Sequence, residues 1–294
     1  MAVHRRTYRP YAGTLTGPAW RFLVMARYAA LDLLESRLVL VFLVVAYIPF
    51  LVECGLVFVA NNAVARALLG MQGASPLDID AAFFLRALRV QGFLAFVLAA
   101  AVGPGLVAPD LANGALPLYL SRPLSRTEYV AGKMAVLLGL LSFVTWIPNI
   151  AVYLLQASLA DDWLGGHLHL GRAILLGSLL WIAVIGLMAL ALSAMVRRRL
   201  VASLLMCALF FVGVPFGEIW RQVMGNMWGR LANLAYLIRL VWSDLFGVAP
   251  EVMTRRGRVI PDLPYWAALG ALLFVAAASL WLLERRVRAK EIVR

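Results

Sequence analysis

Six long apolar runs, separated by shorter polar stretches, set the pattern of this chain. They cover roughly residues 38–60, 90–108, 134–160, 173–196, 200–217 and 266–283. A helix needs about 17–25 mostly apolar residues to cross a bilayer, so each run predicts one transmembrane helix, the fifth being the shortest. Ionisable residues are nearly absent inside them. Glu53 is the exception, near one end of the first run, where a carboxylate can snorkel to the interface.

Residues 18–36 follow a different period. Thr16-Gly17-Pro18 is a helix-start signal. On a helical wheel Arg21, Tyr28, Asp32, Glu35 and Ser36 gather on one face, while Trp20, Phe22, Leu23, Ala30, Leu33 and Leu34 cover the other. That predicts a helix lying along the membrane surface before the chain turns into the bilayer, either a simple anchor or a lever that meets a partner. Residues 61–89 read as a small helical cap with Ser75-Pro76-Leu77-Asp78 as its turn. Segment 218–246 is amphipathic, with Glu218, Gln222, Asn226, Arg230 and Asn233 recurring at spacings of three or four. The expected fold is an all-α integral membrane protein. It has six transmembrane helices, an N-terminal interfacial amphipathic helix, and amphipathic helices at the outer face before the last span. The whole of 1–294 reads as one domain: a tail and interfacial helix (1–36), a six-span bundle (37–284) and a basic tail (285–294).

Composition agrees with lipid as the solvent. The 294 residues are 63% hydrophobic and 14% charged, against about 45–50% and 25% in soluble domains. A net charge of +12 would suggest nucleic acid in a soluble protein; here it reflects the basic flanks of membrane helices, and no nucleic-acid partner is expected. Placing the N terminus inside puts most of the 27 Lys and Arg on inner flanks, including Arg5, Arg6 and Arg9, Arg122, Arg126 and Lys133, the run Arg197-Arg198-Arg199, and Arg285 to Arg294. Both termini are then cytoplasmic. The N-terminal residues are basic and polar, and the first apolar run begins too late for a cleavable signal peptide. Cys54 and Cys207 lie inside apolar runs and read as packing residues.

Catalytic patterns are scarce. The chain has no GxxxxGK[ST] phosphate loop and no GxSxG serine. His167 and His169 are expected in an outer loop beside Asp161 and Asp162, without the sustained spacing of a metal site. No enzyme activity, bound cofactor or metal is expected of this chain itself. Gly213 and Gly217 allow close helix approach beside Pro215, and Gly103-Pro104-Gly105, Pro49 and Pro148 should bend their spans. Phe42, Trp146, Tyr153, Trp181 and Phe210 could form an apolar path wall, though lipid-facing positions have the same composition.

The most informative stretch is Asp110 to Lys133, DLANGALPLYLSRPLSRTEYVAGK. Pro109 and Asp110 should end the second span, and Asn113-Gly114 permits a reversal. Ala115, Leu116, Pro117, Leu118, Tyr119 and Leu120 are too short to span a bilayer and too apolar to float free, so they suit a groove on a partner or the membrane surface. After Ser121, Arg122 is held extended by Pro123. Ser125-Arg126-Thr127-Glu128 is a capping box, with Leu124 and Tyr129 placed for a hydrophobic staple. The third span thus begins rigidly, and a force on 115–122 would pass into it.

The succession Asp110, Asn113-Gly114, Leu116-Pro117-Leu118, Ser121-Arg122-Pro123-Leu124-Ser125-Arg126, Tyr129 and Gly132-Lys133 resembles the cytoplasmic loop of ABC-2 type permeases, the membrane subunits of ATP-binding-cassette exporters. The motif spans about twenty-four residues, and the arrangement of spans and flanking helices extends the likeness over most of the chain. What the resemblance implies is that two such subunits, identical or different, pair in the membrane and that each docks on a separate ATPase subunit, which holds ATP and Mg. Residues 110–122 would then form the coupling region, with Arg122, Arg126 and Glu128 near its polar rim. The helix at 18–36 would border the same ATPase. The expected setting is the cell (inner) membrane of a bacterium or archaeon, multi-pass. Alternatives are a lipid-modifying membrane enzyme centred on Asp161, Asp162, His167 and His169, a secondary carrier, and an assembly factor or sensor on the same scaffold.

Overall fold

A computed structural model describes residues 20–70, 78–114, 125–196, 198–224, 227–249, 254–255, 258–259 and 263–287. The described residues are almost entirely helical, with one two-residue antiparallel ladder pairing Thr254 with Val259 and Arg255 with Arg258. In chain order come α1 (Arg21–Glu35), α2 (Arg37–Asn61), α3 (Ala63–Leu68), α4 (Ala81–Ala112), α5 (Arg126–Val144), α6 (Trp146–Leu159), α7 (Trp163–Met195) and α8 (Arg199–Met224). A 3-10 turn (Met227–Ala232), α9 (Leu234–Leu245) and α10 (Tyr265–Arg286) follow. Six segments are long and apolar enough to cross a membrane: α2, α4, α5 with α6, α7, Arg199–Trp220 of α8, and α10.

Several boundaries differ from the sequence expectation. The second span starts at Ala81 because Asp80 caps it, its carboxylate accepting from the Phe83 N–H at 2.9 Å. Residues 81–89 of the expected cap therefore belong to the second span; α3 is the cap's helix among the described residues, and Ser75, Pro76 and Leu77 lie outside them. At the other end α4 continues through Pro109 and Asp110 to Ala112, where the Asn113 N–H bonds the Pro109 carbonyl at 2.9 Å. Asp110 is a helical residue and not the start of a turn. The fourth span begins ten residues early, so His167 and His169 sit in the first turns of α7, with a local non-helical kink at His167.

The third span breaks at Thr145 (φ −105°, ψ −93°). Pro148 lacks an N–H, and its ring would strike the carbonyl one turn earlier. Side chains satisfy the disturbed backbone: the Thr145 hydroxyl donates to the Leu141 carbonyl at 2.9 Å and the Asn149 amide to the Thr145 carbonyl at 2.8 Å. In a helix surrounded by lipid and protein such local repair is obligatory.

Helices α4 and α7 form the centre, with α5, α6, α9 and α10 around them; α2 and α8 expose most of their apolar surface. Near the Ala112 end of α4, Gly103 lies so close to α7 that a Cβ there would come within 2.6 Å of the Ala189 Cβ. One turn along α7, the Ser193 hydroxyl donates to the Pro104 carbonyl and accepts from the Ala108 N–H, both at 2.8 Å. A neighbouring side chain thus enters the backbone ladder of α4 where two prolines weaken it. Toward the opposite end, Trp242 of α9 wedges against the bare Cα atoms of Gly92 and Gly177, its indole donating to the Gly177 carbonyl at 3.0 Å.

The Gly213/Gly217 spacing does provide close approach, against the 3-10 turn. A Cβ on Gly213 would lie 2.6 Å from the Ala232 carbonyl oxygen, and one on Gly217 3.1 Å from that of Gly229. Trp181, Tyr153 and Phe210 are buried in the core and Trp146 is half-buried, so these aromatics pack the bundle. Cys54 and Cys207 are both free. Gly213→Ala should lower thermal stability in detergent by about 1–3 kcal/mol through backbone overpacking. Gly139→Ala, which meets nothing within 4 Å, should be neutral or slightly stabilising.

Candidate functional site

The candidate site is the junction of α4 and α5, the two helices that flank residues 113–125. At its base Asp110 meets two side chains from the first turns of α5. The Lys133 ammonium lies 2.8 Å from Asp110 Oδ2, and the Tyr129 hydroxyl donates to the same oxygen at 2.7 Å. Tyr129 and Lys133 are four residues apart and share one helix face; the ammonium sits 5.5 Å from the centre of the Tyr129 ring. Tyr129 is fully buried and Lys133 is 7% exposed.

Two opposite charges in so dry a place are tolerable only because each satisfies the other and a hydroxyl completes the carboxylate. Tyr129 was expected as half of a hydrophobic staple with Leu124. Its hydroxyl holds Asp110, and Leu124 lies outside the described residues.

The capping box forms as the sequence predicts. The Glu128 N–H donates to the Ser125 hydroxyl at 3.2 Å, and the Ser125 N–H donates back to Glu128 Oε2 at 2.6 Å. Arg126 is exposed beside it. Asn113 ends α4, and Gly114 takes a left-handed conformation (φ +66°) that allows the chain to leave the helix sharply. Leu116, Pro117, Leu118, Tyr119, Leu120, Ser121, Arg122 and Pro123 lie outside the described residues. The structure therefore brings together Asp110, Tyr129 and Lys133, and places Ser125 and Glu128 one turn away at the start of α5.

Helix α1 belongs to the same assembly. It packs along α5, and the bare Cα of Gly132 makes room for it: a Cβ there would lie 3.0 Å from the Phe22 carbonyl oxygen and 2.5 Å from the Met25 terminal methyl. Phe22, Met25, Ala26, Ala29 and Leu33 form its packed side, leaving Trp20, Leu23, Val24, Tyr28, Leu31 and Leu34 exposed with Asp32 and Glu35. Of the apolar face expected for α1, Trp20, Leu23 and Leu34 are exposed, while Phe22, Ala30 and Leu33 pack against the bundle. Sequence reading missed the role of Gly132, although a glycine between Tyr129 and Lys133 on a helix is the available signal.

The other sequence candidates do not assemble. The His167 ring donates through Nδ1 to the Trp163 carbonyl at 2.8 Å and stacks on the Trp163 ring; His169, Asp161 and Asp162 are exposed. Among the described residues no three of His, Cys, Asp and Glu gather where they could hold one ion. Glu53 is not a snorkelling carboxylate: it is 8% exposed, on the side of α2 that faces the bundle. Compared with known proteins, the chain matches no family model and no curated protein.

Removing one partner of the buried pair should cost more than removing both. Lys133→Met is expected to destabilise the purified protein by about 3 kcal/mol. Asp110→Asn combined with Lys133→Met keeps an acceptor for Tyr129 and should recover most of that loss in thermal or denaturant unfolding.

Proposed function

We propose that this chain is the permease subunit of an ATP-driven transporter of the ABC-2 type, an exporter, whose ATPase is a separate subunit docking at the α4–α5 junction. One observation carries the reading: Asp110 at the end of α4 is tied to Tyr129 and Lys133 at the start of α5, closing the base of an apolar loop. A partner groove that moves residues 115–122 would then displace two bundle helices together and would not merely stir a slack connection. The capping box stiffens the entry to α5, and α1, packed on Gly132, adds a third helix to the moving unit.

In this reading the junction faces the cytosol of a bacterial or archaeal cell, as do both termini. Helix α1 lies along the inner membrane surface and borders the same ATPase with its exposed side. The 3-10 turn and α9 sit at the outer face. Two permease subunits, two copies or two related chains, pair within the membrane, and ATP binding draws the ATPases together so that the paired bundles open a path. Nucleotide hydrolysis belongs to the partner; this chain supplies path and linkage. The sequence motif at 110–133 and the tied junction support this reading over a membrane enzyme centred on His167, His169, Asp161 and Asp162, of which no three gather at one point.

Solubilised gently from its native cells, the chain should bring with it a protein carrying a phosphate loop. Leu118→Glu with Tyr119→Glu should abolish that association while leaving the thermal stability of the permease unchanged. An ATPase that remains bound to this variant would remove the docking site from the account.

A further inference from the structure

Three buried side chains from three helices, Glu53, Gln91 and Asn149, fall at one level of the bundle. Helices α2 and α6 run in the same direction, as first and third spans must, and near their ends the Asn61 amide donates to Gln156 Oε1 at 2.7 Å. Glu53 lies eight residues back along α2 and Asn149 seven residues back along α6. At 1.5 Å per residue these are axial distances of about 12 and 10.5 Å, so the two share a layer. Asn149 in turn donates its amide to Gln91 Oε1 of α4. Glu53 faces this interior because it continues the seam of Val39 and Ala46, seven residues apart, by which α2 packs on the bundle.

The layer is polar and incompletely paired. Gln91 and Asn149 are fully buried and Glu53 nearly so. Yet Glu53 Oε2, Asn149 Oδ1, Gln91 Nε2 and the indole nitrogen of Trp146, one turn from Asn149, have no hydrogen-bond partner within the protein. Buried serines can turn back to their own helix carbonyls, but an amide, a carboxylate and an indole in these positions have no such refuge. The unmet groups are two acceptors and two donors. A metal cation would be repelled by the amide and indole N–H groups, and an anion by Glu53. Water both donates and accepts, and buried polar groups left over by protein packing are where it is found.

We propose that α2, α4 and α6 enclose a hydration site in which ordered water bridges Glu53, Gln91, Trp146 and Asn149. The site adjoins the Thr145 break, since Asn149 also holds the Thr145 carbonyl. Water that can exchange hydrogen-bond partners lets α5 and α6 change their mutual angle without exposing bare polar groups to the apolar interior. This inference is independent of the transporter reading.

Hydroxyl radicals generated from water by X-rays, applied to the full-length protein in lipid nanodiscs, test it directly. Trp146 should be oxidised several-fold faster than Trp181, which is buried with its indole bonded to the Gly92 carbonyl at 2.9 Å. Gln91→Leu with Asn149→Leu should bring Trp146 down to the Trp181 rate. A wild-type Trp146 as protected as Trp181 would overturn the proposal even if the variant does not fold; because Trp146 is only half-buried, labelling unchanged in the folded variant would overturn it too. Glu53→Met gives a second reading, because a dry, unpaired carboxyl should be improved by an apolar replacement. A fall in melting temperature supports bridging water, and a rise contradicts it.

Discussion

Asp110 Oδ2 receives the Lys133 ammonium and the Tyr129 hydroxyl together, and the α4–α5 end of this bundle depends on that convergence. Either contact alone would leave a charge or a hydroxyl stranded in a place with little water. The three groups fix the register of α4 against α5. One turn back along α4, the Ser193 hydroxyl between the Pro104 carbonyl and the Ala108 N–H fixes α4 against α7. On the far side Gly132 fixes α5 against α1. Four helices are thus joined within a few turns of one loop.

That concentration decides where the bundle can give. Beyond the junction α5 runs uninterrupted to Val144, and the next departure from helical geometry is Thr145. A displacement entering at Ser125 therefore travels the length of α5 before the backbone offers a joint. Past the joint, α6 is tied through Asn149 to Gln91, and the neighbouring Gly92 receives the Trp181 indole and the edge of Trp242. The contacts join the loop end of the molecule to α9 through packed side chains and not through one continuous helix. For a subunit proposed to convert a partner's ATP-driven closure into an opening between helices, a rigid lever followed by a repairable joint is a mechanically sensible arrangement.

The six spans were legible in the sequence because the bilayer demands a minimum apolar length, and the capping box because its spacing is local. Span ends were less legible. Asp80 and the amphipathic turn after it extend α4 by nine residues, and Gly165-Gly166 did not prevent α7 from starting at Trp163. Residue types at 110, 129 and 133 singled out this segment in the sequence, but not their contact with one another. The Asp110–Lys133 contact depends on how far α4 continues past Pro109, which hydropathy does not reveal. Glu53 was misjudged for a related reason: its distance from the span end suggested snorkelling, whereas the Val39–Ala46 seam turns it inward. Trp242 reads in sequence as one more amphipathic residue, and only the facing glycines of α4 and α7 make it a wedge.

The central claim, that a cytosolic partner acts through the loop closed by Asp110, Tyr129 and Lys133, is tested most directly by the sidedness of Ser121. A single Ser121→Cys label site in a chain otherwise free of cysteine should stay unreactive toward a membrane-impermeant maleimide in intact cells. It should react in inside-out vesicles stripped of peripheral proteins. Full labelling of intact cells would place the loop on the opposite face and contradict the account.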